Sequence, residues 1–524
     1  MPSARRLYCL RPGGAGHRAG ATTLAIVVKS DGRLTDDLDP SDRPPRDACG
    51  VFGAWCPGED VGKLAYYGLY ALQHRGQESA GIAVSDGDRI VVYKDMGLVA
   101  QVFDEAALNT LRGHIAVGHC RYSTTGSSVW DNAQPTFRAT ATGGVALGHN
   151  GNLINTLELA ARLAAAREQD AGAPDGGALR PAPAGTSDTD VLTALFANPP
   201  GGARPGGVEE AALVTLRLAR GAFSLVFMDE KTLYAARDPQ GFRPLVLGRM
   251  ARGWVVASET AALDIVGAAF VREVEPGELI SIDERGVRSR TFAAAQPKGC
   301  LFEYVYLARP DTTIAGRGVQ ATRVEVGRRL AAEHPADADL VIPVPESGTP
   351  AAIGYAEASG IPYGQGLVKN SYVGRTFIQP SQTIRERGIK LKLNPLRDVI
   401  AGKRVVAVDD TIVRGTTQRA IVAMLREAGA AEVHVRISSP PVAWPCFYGI
   451  DFARRAELIA GRESVAEITA SIGADSLGYV SLEGLIAATT LPAGRLCHAC
   501  FDGRYPIPVA EAERGKHLLE DIRS

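Results

Sequence analysis

Four consecutive apolar residues, Val405-Val406-Ala407-Val408, run straight into two acids, Asp409-Asp410, and then into Thr411-Ile412-Val413-Arg414-Gly415-Thr416-Thr417. Such a run reads as a strand buried on both faces, the kind that belongs in a parallel sheet. Acids at its carboxyl end fall where open α/β sheets place their ligands. Past the loop, apolar residues at 421, 424, 425 and 428 mark one face of a helix, and Gly429 supplies its stop. Small residues at a helix N-terminus offer phosphate both backbone N–H groups and a favourable dipole. Carboxylates do not bind phosphate, so the acid pair implies a hydroxyl-bearing sugar or a cation beside it.

A second apolar strand, Leu340-Val341-Ile342-Pro343-Val344, ends in Pro345-Glu346-Ser347-Gly348. Strands alternating with helices through this half predict a parallel sheet with crossover helices. The ordered run at 405–417 resembles the phosphoribosyl pyrophosphate motif of type I phosphoribosyltransferases. That resemblance implies that Asp409 and Asp410 hold the ribose hydroxyls, directly or through one Mg²⁺, and that Thr411, Arg414, Gly415, Thr416 and Thr417 cradle the 5-phosphate. It further implies that Ser347 and Gly348 receive the pyrophosphate, with Ser347 in the Mg²⁺ shell. Asp usually precedes this Ser; here the residue is Glu346. Between the strands, Lys369–Pro395 is dense in Arg and Lys and resembles the family's flexible loop that shields the activated ribose. Arg375 and Lys392 are its expected diphosphate contacts.

The first half carries a different constellation. Cys49-Gly50-Val51-Phe52-Gly53 opens it, followed by Gln73-His74-Arg75-Gly76, His119-Cys120-Arg121-Tyr122, His149-Asn150-Gly151-Asn152 and Thr186-Ser187-Asp188. The order resembles class II glutamine amidotransferases, which share the N-terminal-nucleophile fold. Glutamine is a zwitterion with a side-chain amide, so its site needs a cation, an anion, a nucleophile and an oxyanion hole. The resemblance supplies Arg75, Arg121 and Asp188 for glutamine binding, Cys49 as nucleophile, and Asn150 with Gly151 as the oxyanion hole. In that family the nucleophile's own α-amine is the base, and its reference pKa of roughly 7.7–8.0 suits the task. Here 48 residues precede Cys49, and an amide nitrogen cannot act as base. Cleavage between Ala48 and Cys49 is therefore expected.

Eight cysteines in 524 residues are too sparse for a disulfide-stapled scaffold and lean towards catalysis or metal. Cys497-His498-Ala499-Cys500 alone is open to a redox pair or a zinc half-site. With Cys300 and Cys446 in their contexts, the set resembles the iron–sulfur subgroup of amidophosphoribosyltransferases, which implies one [4Fe–4S] cluster on Cys300, Cys446, Cys497 and Cys500. On ligand count alone Zn²⁺ suits four thiolates equally well. Cys9, Cys56 and Cys120 are expected to be packing residues.

The expected fold is an α+β N-terminal-nucleophile (αββα) glutaminase domain over residues 49–290, then an α/β type I phosphoribosyltransferase domain over 291–505. A propeptide or disordered leader (1–48), a charged tail (506–524) and an Ala/Gly/Pro-rich surface loop at Gln169–Gly185 complete the chain. A net charge of -1 gives no basic field for nucleic acid, and no apolar run approaches the ~20 residues of a membrane span. No targeting signal is readable, which leaves the cytoplasm as the expected location. Glutamine and phosphoribosyl pyrophosphate are the expected substrates, and the resemblance adds purine nucleotides as feedback inhibitors and a homotetrameric state. A glucosamine-6-phosphate synthase would need a sugar-isomerase half in place of the acid-pair cradle. A phosphoribosyl pyrophosphate-sensing regulator would have no use for Cys49, Arg121 and Asp188.

Overall fold

The computed structural model describes residues 8–10, 49–122, 127–141, 143–171, 185–199, 207–370, 392–450 and 455–509. Strand Gly50–Trp55 lies in the middle of an eight-stranded sheet, antiparallel to Ile115–Arg121 on one side and to Gly253–Ala257 on the other. A six-stranded sheet runs from Gly286–Thr291 to Thr136–Ala139, with Gly144–Leu153 and Gly221–Met228 paired inside it. The sheets pack face to face: Val51, Ile115 and Val117 of the first meet Ala146, Val226 and Ile280 of the second in one buried cluster.

Each outer face is covered by helices. Helix Val61–Ala71 buries Val61, Ala65 and Leu69, at i, i+4 and i+8, against the first sheet. Its Gly68 is there because a Cβ would meet the Phe52 ring at 2.2 Å. Helices Thr156–Ala171, Asp188–Ala197 and Val208–Leu216 cover the second sheet. The result is the four-layer αββα stack.

The second half holds a four-stranded parallel sheet in the order Leu340–Pro343, Arg404–Asp409, Glu432–Ile437, Ser476–Tyr479. Alternate residues face opposite cores: Val406 and Val408 pack towards Leu330 and Tyr355, whereas Val405 and Ala407 pack towards Ile421 and Leu425. Helix Thr416–Glu427 closes over the second core, and Gly415 enters it at φ 80°, a conformation that favours glycine.

The leader contributes a short strand, Tyr8–Leu10, on the edge of the eight-stranded sheet beside Ile90–Met96; residues 11–48 lie outside the described residues. Helix Thr156–Ala171 runs into the stretch read as a surface loop, and residues 172–184 of that stretch lie outside the described residues. Strand Gly286–Thr291 completes the six-stranded sheet, while Gly299–Cys300 pairs with Leu496–Cys497, so the crossover between the halves occupies residues 292–298. Among the described residues no helix is long and apolar enough to cross a membrane.

Candidate active site

Cys49 sits at the mouth of strand Gly50–Trp55, where the chain emerges between the two sheets, and is only 6% exposed. Its Sγ lies 3.1 Å from the Tyr122 carbonyl and accepts from the Tyr122 N–H at 3.3 Å. The pairing of Gly50 with Cys120 fixes this register and sets Arg121 alongside the thiol. Burial pushes the Cys49 thiol up to about 12; Arg121 opposes that rise, while Glu78 and Asp188 add to it. The buried thiol is therefore held in its protonated form, with Arg121, Glu78 and Asp188 the charges that act on it.

Arg121 is buried, donates to the Ser127 carbonyl at 3.2 Å and lies 3.7 Å from Glu78. Asp188, on the first turn of helix Asp188–Ala197, accepts from the N–H groups of Leu153 (3.1 Å) and Thr189 (2.8 Å). Asn150 stands on the strand segment between Gly148, which packs against Val51, and Leu153. It is fully buried, yet neither side-chain amide atom has a partner among the described residues. A buried amide left with both valences open is costly unless something binds there. Gly151, at φ 150°, tolerates no side chain, because a Cβ would meet the Ala222 carbonyl at 2.0 Å.

Arg75 does not join this group. Its guanidinium is fully buried against Glu259 and Glu303, so it is committed to two carboxylates and has no fork left for a substrate. The structure thus places the Arg75 of the Gln-His-Arg-Gly motif in a buried ion network. Burial alone would raise Glu259, but Arg75 and His74 outweigh it and hold the carboxyl well below the usual carboxylate range. The folded chain thus binds fewer protons there than the unfolded one, and this stabilisation is present above the unfolded carboxylate pKa and lost as pH falls. Arg75→Met is expected to cost about 3–5 kcal/mol, since it strands two buried carboxylates. Urea unfolding at neutral pH checks this, and a loss below about 1 kcal/mol contradicts the network's importance.

In the second half, Asp409 and Asp410 are both largely buried at the carboxyl end of their strand. Asp410 accepts from the hydroxyls of Ser347 (2.6 Å) and Thr411 (2.7 Å), which joins the two sequence-distant loops at one carboxylate. Asp409 accepts from the Asp410 N–H at 2.9 Å and from the Gln418 side chain. Burial first, and the neighbouring Asp410 charge second, push Asp409 well above the usual carboxylate range. Gly348 is required by close approach: a Cβ would meet the Val408 carbonyl at 2.3 Å. Arg414 is turned to Glu457 at 2.7 Å, and Thr416 and Thr417 begin the helix. Gln418 was not read from the sequence; its only signal was its place one turn into the helix. Arg375 lies outside the described residues, and Lys392 stands at their edge beside strand Leu393–Pro395. Lys369 reaches Glu346 at 3.5 Å in an exposed ion pair.

Cys300, Cys446, Cys497 and Cys500 line one internal pocket together with Arg243, Phe242 and Tyr448. All four thiols are free, and the strand pairing of Cys300 with Cys497 sets two of them side by side. Among the described residues, no group of three or more His, Cys, Asp or Glu is placed to hold a metal ion. Cys56 and Cys120 are buried packing residues, as expected; the side chain of Cys9 lies outside the described residues. The pocket abuts the first half: Asn152 donates to the Phe447 carbonyl at 3.1 Å, Arg243 donates to the Tyr448 carbonyl at 2.9 Å, and the Gly449 backbone packs on Gly151.

Comparison with known proteins agrees with this division. Residues 119–264 match the family model of the glutamine amidotransferase domain, and residues 320–438 match that of the phosphoribosyl transferase domain. Amidophosphoribosyltransferases of Mycobacterium leprae and Mycobacterium tuberculosis are each 65% identical to the chain, over 100% and 91% of it and 92% and 90% of their own lengths. The solved Bacillus subtilis glutamine phosphoribosylpyrophosphate amidotransferase, complexed with ADP and GMP, is 45% identical with a TM-score of 0.80, covering 88% of this chain and 98% of its own.

Proposed function

Because the chain belongs to the amidophosphoribosyltransferases, which hydrolyse glutamine and pass the ammonia to 5-phosphoribosyl 1-pyrophosphate in purine biosynthesis, we propose that Cys49 carries the first step and Asp409–Asp410 the second. The observation that supports this is the surroundings of Cys49: the buried Arg121 and Asp188, with Glu78 paired to Arg121, are the charges that act on a single buried thiol.

Arg121 takes the α-carboxylate of glutamine and Asp188 the α-ammonium, which presents the side-chain amide carbon to Cys49. With the thiol pushed up to about 12, a base must remove its proton as the C–S bond forms. The α-amine of Cys49 serves once residues 1–48 have been removed. The amide nitrogen of glutamine leaves as ammonia with that proton, and the thioester is hydrolysed to glutamate. The open amide of Asn150 and the N–H of Gly151 stabilise the tetrahedral oxyanion. Ammonia then attacks C1 of the ribose, pyrophosphate departs, and 5-phosphoribosylamine forms.

In the acceptor half, Ser347 and Gly348 receive the pyrophosphate, Thr411 and Gly415 through Thr417 hold the 5-phosphate, and Arg414, Arg375 and Lys392 add positive charge. Ser347, Asp409 and Asp410 offer the hard oxygen donors that suit one Mg²⁺. Such an ion draws its remaining ligands from water and substrate phosphates, so no all-protein cage is required. The four thiols suit a [4Fe–4S] cluster, which supplies structural cross-linking. Four thiolates suit zinc equally well on ligand count, so the choice of the cluster rests on the resemblance to the iron–sulfur subgroup. We also propose purine nucleotides as feedback inhibitors, a homotetramer and a cytoplasmic location.

The test is intact mass with iron and sulfide analysis of anaerobically purified protein. A chain beginning at Cys49 with about four irons and four sulfides is expected. Fully glutamine-active protein that retains Ala48 would sink the mechanism, and stoichiometric zinc would sink the cluster.

A further inference from the structure

We infer that Asn132 is a positioning residue that sets the distance between the cation and the anion of the glutamine site. The inference rests on the assignment of Arg121 and Asp188 to glutamine binding. Asn132 is fully buried at the end of the short helix Trp130–Asn132. Its Nδ2 donates to the Ser127 carbonyl at 2.9 Å, the same oxygen that accepts from the Arg121 guanidinium at 3.2 Å. The same Nδ2 also donates to the Thr186 hydroxyl at 3.0 Å, and Oδ1 accepts from the Thr186 N–H at 2.8 Å. Thr186 lies two residues before Asp188, and Ser187 between them caps the Asp188 helix.

One side-chain amide, with its donors and its acceptor engaged, therefore spans the two walls of the pocket. Asn132 and Thr186 are 54 residues apart in sequence, so the bridge is made by the fold and not by a local turn. Gly185 leaves Asn132 its room, since a Cβ there would come within 2.7 Å of Oδ1. On the other side the short helix is held by Trp130, whose indole N–H donates to the Lys94 carbonyl at 3.1 Å and whose ring lies under the Lys94 ammonium at 4.8 Å. Asn132 is thus braced from behind and reaches forward to the carbonyl that holds Arg121 and to the segment that leads into Asp188.

Free amino acids differ little in the spacing of their two charged groups, so a wall displaced by half an ångström weakens both contacts at once. The deficit falls on glutamine binding and not on the intrinsic reactivity of the thiol.

The experiment uses the processed full-length enzyme with Asn132→Ala and the near-isosteric Asn132→Asp, beside Arg121→Lys and Asp188→Asn. Steady-state kinetics are run with glutamine and, separately, with ammonium as nitrogen source. Alkylation of Cys49 is timed with iodoacetamide and with a haloketone bearing an amino acid's α-carboxylate and α-ammonium. The Asn132 variants are expected to raise the glutamine KM on the order of tenfold or more, with kcat within a few-fold and ammonium-dependent turnover unchanged. They slow the amino-acid haloketone and leave iodoacetamide unaffected. A KM within twofold of the parent, or equal slowing of both reagents, overturns the inference, the latter by revealing local collapse. If Arg121→Lys and Asp188→Asn leave the glutamine KM untouched, the binding assignment itself fails and the role of Asn132 falls with it. If those two raise KM and the Asn132 variants do not, Asn132 alone is misassigned.

Discussion

Cys49→Ala in the processed chain is expected to abolish glutamine-dependent turnover, by on the order of 10⁴-fold or more, while leaving ammonium-dependent turnover within a few-fold of the parent. The split follows from the architecture. The thiol is wedged between two sheets whose cores share no residue with the parallel sheet carrying Asp409 and Asp410. A chain that keeps Ala48 on Cys49 is expected to show the same split. Its thiol is intact, but the nitrogen that should take the proton is an amide. Comparing Cys49→Ala with an uncleavable precursor by both assays separates nucleophile from base. Equal glutamine activity in precursor and processed chain would mean that another group removes the proton.

The second large effect has the opposite signature. Asp410→Asn is expected to depress glutamine- and ammonium-dependent turnover together, by on the order of 10²–10³-fold, because both need the activated ribose. Asp410 is the carboxylate on which Ser347 and Thr411 converge, so the substitution removes a charge and loosens the junction of two loops. Asp409→Asn is expected to be milder. In the metal-free chain burial and Asp410 push the Asp409 carboxyl up, so an amide at 409 disturbs the unloaded site less than one at 410, where two hydroxyls converge. Titrating the affinity for phosphoribosyl pyrophosphate against Mg²⁺ concentration for each variant checks the ranking. If Asp409→Asn proves the more damaging, Asp409 rather than Asp410 carries the ionic contact.

Much of this was readable from the chain alone where physics is local. The 405–417 run became a strand, a turn and a helix because hydrophobic period, acid placement and glycine all agree over consecutive residues. Strands such as Ala269–Glu273 were not readable. That strand lies on the rim of the eight-stranded sheet with Phe270 and Val271 half exposed, so its pattern lacks the alternation a half-buried strand shows. Arg75 shows the converse. The partners that hold this conspicuous motif arginine come from residues 184 and 228 positions away, and only the fold brings them together. Gln418, Asn132 and Glu78 were invisible for the same reason: their roles are set by what the fold brings opposite them.

The contact of Gly449 and the Phe447 carbonyl with Gly151 and Asn152 bears on how such an enzyme can be taken apart. The strand that carries Asn150 and Gly151 is propped from outside by the segment that carries Cys446. The two halves are accordingly not cassettes: a fragment ending near residue 290 would keep Cys49 and lose the wall behind Asn150 and Gly151. A chimera that exchanges either half with a relative's must carry this seam across intact, or recombine on both sides of it at once.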